Sequence, residues 1–511
     1  MQTISADIVI VGTGLAGLSL AKYLSEINPQ LQLVLLSKTT LDKCNTYYAQ
    51  GGMAVVHDFI KDSYEQHISD TLAAGKGLCY TDVVKHVITS APARLQELLT
   101  WGIELDKNDS GALDLGLEGG HSQNRIVHHK DQTGLELETK LIRVVAQLPN
   151  VTFHASFFAT DIVVENENCV GIIGFNKENE PTFIRAKATV LASGGSGQVF
   201  STTSNPSVAT GDGIAMAYRA GVRIENMQYV QFHPTAVYEP ENEQAFLITE
   251  AIRGFGAHIV NRKGERFLKK AHADAELATR DIVSKAICDE MSKEKTHNVW
   301  LDLSHLNAKE LRVKFPKITH YFQQNNWDFT SELIPIRPAS HYQCGGISVN
   351  TIGATSLKNL FAIGECSHTG LHGSNRLASN SLLEAVVYAH DLAAYLSKNL
   401  NEVSALNTIH PELHFESSNY NEDLFFRTEL KKQMHYESVY GSSEIISEAF
   451  ETVTQLTVLF EMQFPSYNAN PHLCETYNLL QTAVLILTDK LAFLKMGVGF
   501  ETKKTMDPTF S

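Results

Sequence analysis

Five short stretches of this 511-residue chain carry groups able to grip and work on a small anion. Leu247-Ile248-Thr249-Glu250-Ala251-Ile252-Arg253-Gly254 brings a hydroxyl, a carboxylate and a guanidinium close together, and Ala278-Thr279-Arg280-Asp281-Ile282-Val283 sets another arginine in a helical turn. Phe232-His233-Pro234-Thr235 places a histidine before a proline, which restricts that histidine's backbone. His341 and Arg376 complete the set. Bidentate guanidinium contacts backed by neutral donors are what a small dianion needs. Taken singly, each residue keeps a blander reading: a histidine before a proline is more often structural, and an arginine in a helical turn more often belongs to a surface salt bridge.

Such residues need a scaffold, and the N-terminus supplies its first piece. The β-branched run Asp7–Val11 leads into Gly12-Thr13-Gly14-Leu15-Ala16-Gly17, a G-x-G-x-x-G turn followed by an apolar helical segment. Gly12 permits the turn, Gly14 lets a pyrophosphate approach the backbone, and Gly17 lets helix and strand pack closely. Phosphates then sit at the positive end of the helix. A second strand, Leu31–Leu36, ends at Ser37-Lys38, where dinucleotide folds usually place a ribose-binding acid; its absence argues against a standard NAD site. Asn45-Thr46-Tyr47-Tyr48-Ala49-Gln50-Gly51-Gly52 suits a backbone wrapped around a flat ligand, although an ordinary Gly-Gly turn looks the same. Two buried strands run into glycines downstream, Lys187–Gly195 and Asn359–Glu365, and Gly211-Asp212-Gly213 adds another close backbone approach with a carboxylate.

Bulk properties narrow the class. The length predicts two to four domains, and 43% hydrophobic residues suit a soluble protein with a large core. A net charge of −15 argues against nucleic acid. Seven cysteines without a C-x-x-C pair predict reduced thiols in a cytoplasmic protein. The first strand begins too near Met1 for a signal peptide. Leu479–Leu494 carries Gln481, Asp489 and Lys490, so no membrane span is expected. No metal site is expected either.

A Rossmann-like unit with two later strand–glycine elements resembles the FAD-binding flavoproteins. From Asp7 to about Ala394 the motifs are similar, in order, to the family of succinate dehydrogenase, fumarate reductase and L-aspartate oxidase. Leu117-Glu118-Gly119-Gly120-His121-Ser122 and Leu371–Glu384 resemble the oxidase branch. So does His341-Tyr342-Gln343-Cys344-Gly345-Gly346, with Cys where the dehydrogenases usually have Met. Ala378-Ser379 stands where the dehydrogenases have a glycine pair.

The resemblance implies an α/β chain: a Rossmann-like FAD-binding domain (1–227 and 343–410), an inserted α+β capping domain (228–342) and a C-terminal three-helix domain (411–511). FAD would be held by Gly12, Thr13, Gly14, Leu15, Ala16, Gly17, Ser37, Lys38, Asn45, Thr46, Ala49, Gln50, Gly51, Gly52, Asp212, Glu365, Ser381 and Leu382. It would be non-covalent, because Asn45 occupies the position of the histidine that attaches flavin in the dehydrogenases.

The substrate site would comprise His233, Thr249, Glu250, His341 and Arg376, with Arg280, Arg253 and Glu118 catalytic. By resemblance Arg280 moves the proton and Arg253 stabilises developing charge. A guanidinium is a poor base, so physical argument alone assigns Arg280 to binding. Glu118 would repel a dicarboxylate unless the substrate also carries an ammonium, which favours aspartate over succinate. The implied activity is oxidation of L-aspartate to iminoaspartate for NAD biosynthesis, with O2 or fumarate reoxidising the flavin and quinolinate synthase taking the imine. A soluble fumarate reductase is the rival enzyme, and a flavin-binding protein without turnover is the rival from another class.

Beyond Pro411 the chain reads as helices with Pro465 and Pro471 between them. Ile445, Ile446, Ala449, Val453, Leu456 and Phe460 form one apolar stripe, and Tyr477, Leu480, Val484 and Leu487 another. The resemblance thins here: Gln433-Met434-His435-Tyr436 stands where Met-Trp-Asp is common, and Lys495–Phe500 and Met506-Asp507-Pro508 replace the family's usual closing motifs. Phe255 likewise replaces an acid in R-G-E-G.

Overall fold

The computed structural model describes residues 1–240, 242, 244–400, 412–417 and 423–495. Strand β1 (Gln2–Val11) stops at Gly12, and helix α1 (Leu15–Ile27) begins three residues later. Both glycines flanking that turn are forced by packing. A Cβ on Gly12, whose φ is +120°, would meet the Ala192 carbonyl oxygen at 2.1 Å, and one on Gly17 would meet the Gly12 carbonyl oxygen at the same distance. β1 is the centre of a seven-stranded sheet that includes β2 (Leu33–Leu36), β3 (Val151–His154), β4 (Phe158–Glu165), β5 (Asn168–Phe175) and β6 (Pro181–Leu191). Their order is β3-β2-β1-β6-β5-β4, and Leu360–Ala362 joins the C-terminal half of β6 in parallel. The β1, β2, β3 and β6 neighbours run parallel, whereas β4, β5 and β6 form an antiparallel meander.

A parallel strand covered on both faces needs apolar residues at every position, which is why β1 ends in an unbroken run. Ile8 and Ile10 pack with α1, α2 (Thr81–Thr100) and α3 (Thr133–Val145) on one face. Val9 and Val11 pack on the other with α4 (Asp212–Arg219).

Residues from Val237 to Ile336 form a separate core. Strand β7 (Val230–Val237), the one-turn helix α5 (Glu250–Gly254), β8 (His258–Val260), α6 (Arg280–Glu294), β9 (Val299–Asp302) and β10 (Ile334–Gln343) build it. Its antiparallel sheet runs β7-β10-β9-β8, leaving β8 at an edge. The chain then returns through α7 (Asn380–Asn399), which packs on α1.

Beyond residue 422 lie α8 (Leu424–Gln433), the five-residue helix Tyr436–Tyr440, α9 (Ser443–Gln463) and α10 (Pro471–Lys495). Three long helices were expected; the one-turn helix is additional. Ile446, Val453, Phe460, Leu480 and Leu487 share one core with the second face of the main sheet rather than closing a core of their own. Ile445 departs from the expected stripe: it is 40% exposed, one position off the buried i, i+3/i+4 line through Ile446 and Ala449. Val484 is only partly buried at the margin of that core. The 410/411 boundary and the residues 496–500 and 506–508 lie outside the described residues. We retain the division at 227/228, 342/343 and 410/411 as a proposal.

Candidate active site

A cavity of about 650 Å³ runs from the β1–α1 turn to the contact between the main sheet and the inserted lobe. At one end Gly12, Thr13, Gly14, Leu15 and Ala16 line it, with Ser37 and Lys38 opposite. Gly17 lies behind the wall, in its helix–strand contact. The Leu15 amide donates to Thr46 Oγ1 at 3.1 Å, so a side chain 31 residues away takes part of the helix end. Asp212 also lines this end, and Lys38 Nζ is bound to it at 2.8 Å, to Thr210 Oγ1 at 2.6 Å and to Glu475 Oε1 at 2.6 Å. Lys38 thus lines the cavity and also ties this end to α10 through Glu475.

In the middle Asn45, Thr46, Ala49, Gln50, Gly51 and Gly52 form one wall, and Glu365, Ser381 and Leu382 another. Asn45 Nδ2 donates to Glu365 Oε2 at 2.7 Å, while Asn45 Oδ1 and Ser193 Oγ are buried without a hydrogen-bond partner among the described residues. A Cβ on Gly195 would lie 2.3 Å from Glu365 Oε1. Narrow glycine walls with orphaned polar atoms fit a flat, polar ligand such as FAD. Because Asn45 offers no nucleophilic ring nitrogen, acid precipitation should release the yellow flavin into the supernatant. Colour staying with the pellet would show a covalent link.

The far end brings together residues that the sequence singled out as able to grip an anion. His233, Thr249, Glu250, Arg280, His341, Arg376 and Glu118 all line it. β7 carries His233, β10 carries His341, Thr249 precedes α5, and Arg280 is the first residue of α6. Arg253 does not reach the cavity. Glu250 sits between two arginines, Oε1 at 2.8 Å from Arg253 Nη2 and Oε2 at 2.7 Å from Arg280 Nε. Arg253 also donates to the Glu276 carbonyl, so its guanidinium backs Glu250 instead of meeting a ligand. Burial alone would push Glu250 up, but Arg253 and Arg280 hold it below the usual carboxylate range.

Arg376 is different. Its Nη1 donates to Ser381 Oγ at 2.5 Å, its Nε to Gln231 Oε1 at 3.3 Å, and its guanidinium lies 4.0 Å from the Tyr342 ring centre. Among the described residues it has no carboxylate partner, and burial together with Arg280 pushes its pKa down to about 10. Glu118 is the converse. It is 3% exposed and accepts from Ser379 Oγ at 2.6 Å, with no cation paired to it among the described residues. Burial and the nearby Glu250 carboxylate push its pKa up.

Both histidines are neutral donors. Burial, then Arg280, drives each well below the ordinary imidazole range. For His233 the tautomer follows from its neighbour. The Thr235 amide can only donate, and it points at His233 Nδ1 at 3.3 Å, so the ring proton sits on Nε2.

Several residues that the sequence did not assign to this end hold it together. Gln231 Oε1 accepts from both Arg280 Nη1 (2.9 Å) and Arg376 Nε, fixing two guanidinium groups with one amide. Gln50 clamps the inserted lobe onto the main domain by accepting from the Thr249 amide at 3.0 Å and donating to the Leu247 carbonyl at 2.5 Å. Ser379, known from sequence only as part of a family marker, has φ +61°, a conformation that favours glycine. Its hydroxyl both donates to Glu118 and accepts from the Gly52 amide at 3.3 Å, which accounts for a side chain there. Gly119 lets the Glu118 loop lie on Glu250; a Cβ there would be 2.3 Å from Glu250 Oε1.

Comparison with known proteins agrees with this architecture. Residues 7–382 match the family described as FAD binding domain. The chain is 38% identical over 495 residues to L-aspartate oxidase of Acinetobacter baylyi, covering 94% of this chain and 90% of that one. It is 44% identical to L-aspartate oxidase of Neisseria meningitidis, with 76% and 77% covered. Among solved structures, a quinol fumarate reductase chain from E. coli superimposes with a TM-score of 0.86 at 30% identity, covering 96% of this chain and 89% of that one.

Proposed function

The chain belongs to the L-aspartate oxidase family of FAD-binding flavoproteins, and from that premise we propose that the far end of the cavity is where L-aspartate is bound and oxidised. The reaction converts L-aspartate to iminoaspartate (2-iminosuccinate), the first step of de novo NAD biosynthesis. One observation carries the placement: among the described residues the cavity sets a buried cation with no acid in direct contact, Arg376, near a buried acid with no cation in direct contact, Glu118. A dicarboxylate bearing an ammonium group compensates both.

In this reading Arg376, His233 Nε2, His341 and Thr249 hold the carboxylates, and Glu118 takes the ammonium. FAD, when bound, supplies the two-electron acceptor for the Cα hydrogen and is restored by O2 or fumarate. Gly12–Ala16 would hold its phosphates and Asn45–Gly52 its flat ring. The substrate nitrogen must lose a proton for the imine to form. Arg280 handles that proton, with Glu250 Oε2 on its Nε as the relay. Arg253 holds Glu250 ionised from behind. Gln50 keeps the inserted lobe closed, which excludes water and strengthens these interactions.

Glu118 also separates this reading from a soluble fumarate reductase, which has no use for an uncompensated carboxylate. Glu118→Gln keeps the shape and removes the charge. Aspartate oxidation should fall by at least about 10-fold, the equivalent of about 1.4 kcal/mol, while fumarate reduction suffers less or improves. Equal losses in both directions would make Glu118 a structural residue. No described helix is long and apolar enough to cross a membrane. We further propose a cytoplasmic location and delivery of the unstable imine to quinolinate synthase.

A further inference from the structure

We infer that the inserted lobe carries a binding site for a Zn2+-like transition-metal dication, formed by His258, Asp302 and His305. His258 and Asp302 face each other across the antiparallel β8–β9 pair. His305 lies three residues further on, its ring stacked on His258 with centres 4.0 Å apart and 13° between planes. One ligand-capable atom from each side chain lies within 4.8 Å of the other two.

The hydrogen bonds around the trio decide which atoms are available. His305 Nε2 is 2.9 Å from the Gly256 carbonyl oxygen, which can only accept, so the proton is on Nε2 and the lone pair on Nδ1. Asp302 Oδ1 accepts from the Ser304 amide at 3.0 Å and hydroxyl at 2.7 Å, and Oδ2 has no hydrogen bond among the described residues. The His258 ring makes no hydrogen bond among the described residues, and no hydrogen bond joins the three to one another. They are therefore not accounted for as a closed polar cluster. Outer partners that fix a ring's tautomer and aim one lone pair inward are what metal-ligating histidines show. Nearby Arg266 is already neutralised by Glu276 at 2.7 Å.

Two imidazoles and a carboxylate are a ligand set for Zn2+, with a solvent molecule in the remaining position. Bonds of about 2.0–2.2 Å set the ligand atoms of a tetrahedral site roughly 3.3–3.6 Å apart. The ion would therefore draw the three atoms together and turn the His305 ring out of its stack on His258, because lone pairs in parallel ring planes do not meet. All three residues are at least partly exposed, which gives the ion a way in. Bound there, it would pin edge strand β8 to β9 directly behind the substrate site. The Ile259 amide in β8 donates to Glu276, whose carbonyl accepts from Arg253. The ion would stiffen the support of the Glu250–Arg253 pair without touching substrate.

The test uses the FAD-loaded protein, stripped with a chelator and titrated calorimetrically with ZnCl2 alone. The expected result is one Zn2+ per chain at micromolar affinity and a raised unfolding temperature. His305→Ala and His258→Gln, both at partly open positions, should each weaken binding at least tenfold and abolish the thermal shift. His272→Gln in the same lobe should change neither. Failure of the wild type to bind at 100 µM ZnCl2, or equal affinity in wild type and both variants, would overturn the proposal.

Discussion

Arg280→Lys keeps L-aspartate affinity within a few-fold and lowers the rate of flavin reduction by about 10²–10⁴-fold, the range ascribed to a positioned acid–base group. The asymmetry follows from how Arg280 is held. Its Nε is on Glu250 and its Nη1 on Gln231, so the guanidinium is fixed at two points of its plane. Lysine keeps a cation in the cavity and hence much of the attraction for carboxylate. A single ammonium cannot keep the Nε–Glu250 link while presenting a second N–H to the substrate. Loss of an interaction made only in the transition state falls on kcat. The neighbouring cations feel the crowding: burial pushes Arg253 down even with Glu250 beside it, and burial with Arg280 pushes Arg376 down as well. Stopped-flow reduction by L-aspartate decides the matter. A near wild-type rate in Arg280→Lys would reduce Arg280 to a clamp and send the proton by another route.

Arg376→Ala weakens inhibition by succinate by about 2–5 kcal/mol, the cost of removing one partner from a desolvated charge pair, or roughly 30-fold to several thousand-fold in Ki. Most buried arginines would make such a variant hard to interpret, because their deletion strands an acid inside the fold. Here no carboxylate pairs with Arg376 among the described residues, so the loss falls on ligand binding rather than folding. Tyr342 loses a cation from its ring face, a smaller effect. Unchanged inhibition, measured against wild type under identical buffer, would remove Arg376 from the substrate site.

The types of residue in the site were legible because charge and hydrogen-bonding capacity are properties of single residues. Their grouping was not. Arg253 and Arg280 read alike in the sequence, yet one backs Glu250 and the other lines the cavity. What separates them is the fold of α5 against α6. Gln231 could have been found: it lies two residues before His233 in a strand, and residues i and i+2 share a face. Ser379 could not, since its left-handed backbone and its reach to Glu118 across 261 positions exist only in the fold. Lys38 shows the same limit, because one of the acids that claims it, Glu475, is 437 residues away. The β1–α1 turn was the opposite case. There, glycine spacing alone dictated strand, turn and helix, and the steric reason is visible at Gly12 and Gly17.

The central claim is that this cavity pairs an amino dicarboxylate with bound FAD, and anaerobic mixing tests it most directly. FAD-loaded protein is mixed with L-aspartate or with succinate in the absence of oxygen, and the yellow flavin absorbance is followed. The account predicts rapid, complete bleaching by L-aspartate and much slower bleaching by succinate, with the difference shrinking in Glu118→Gln. Flavin that stays yellow with L-aspartate, or bleaches as readily with succinate, would contradict it.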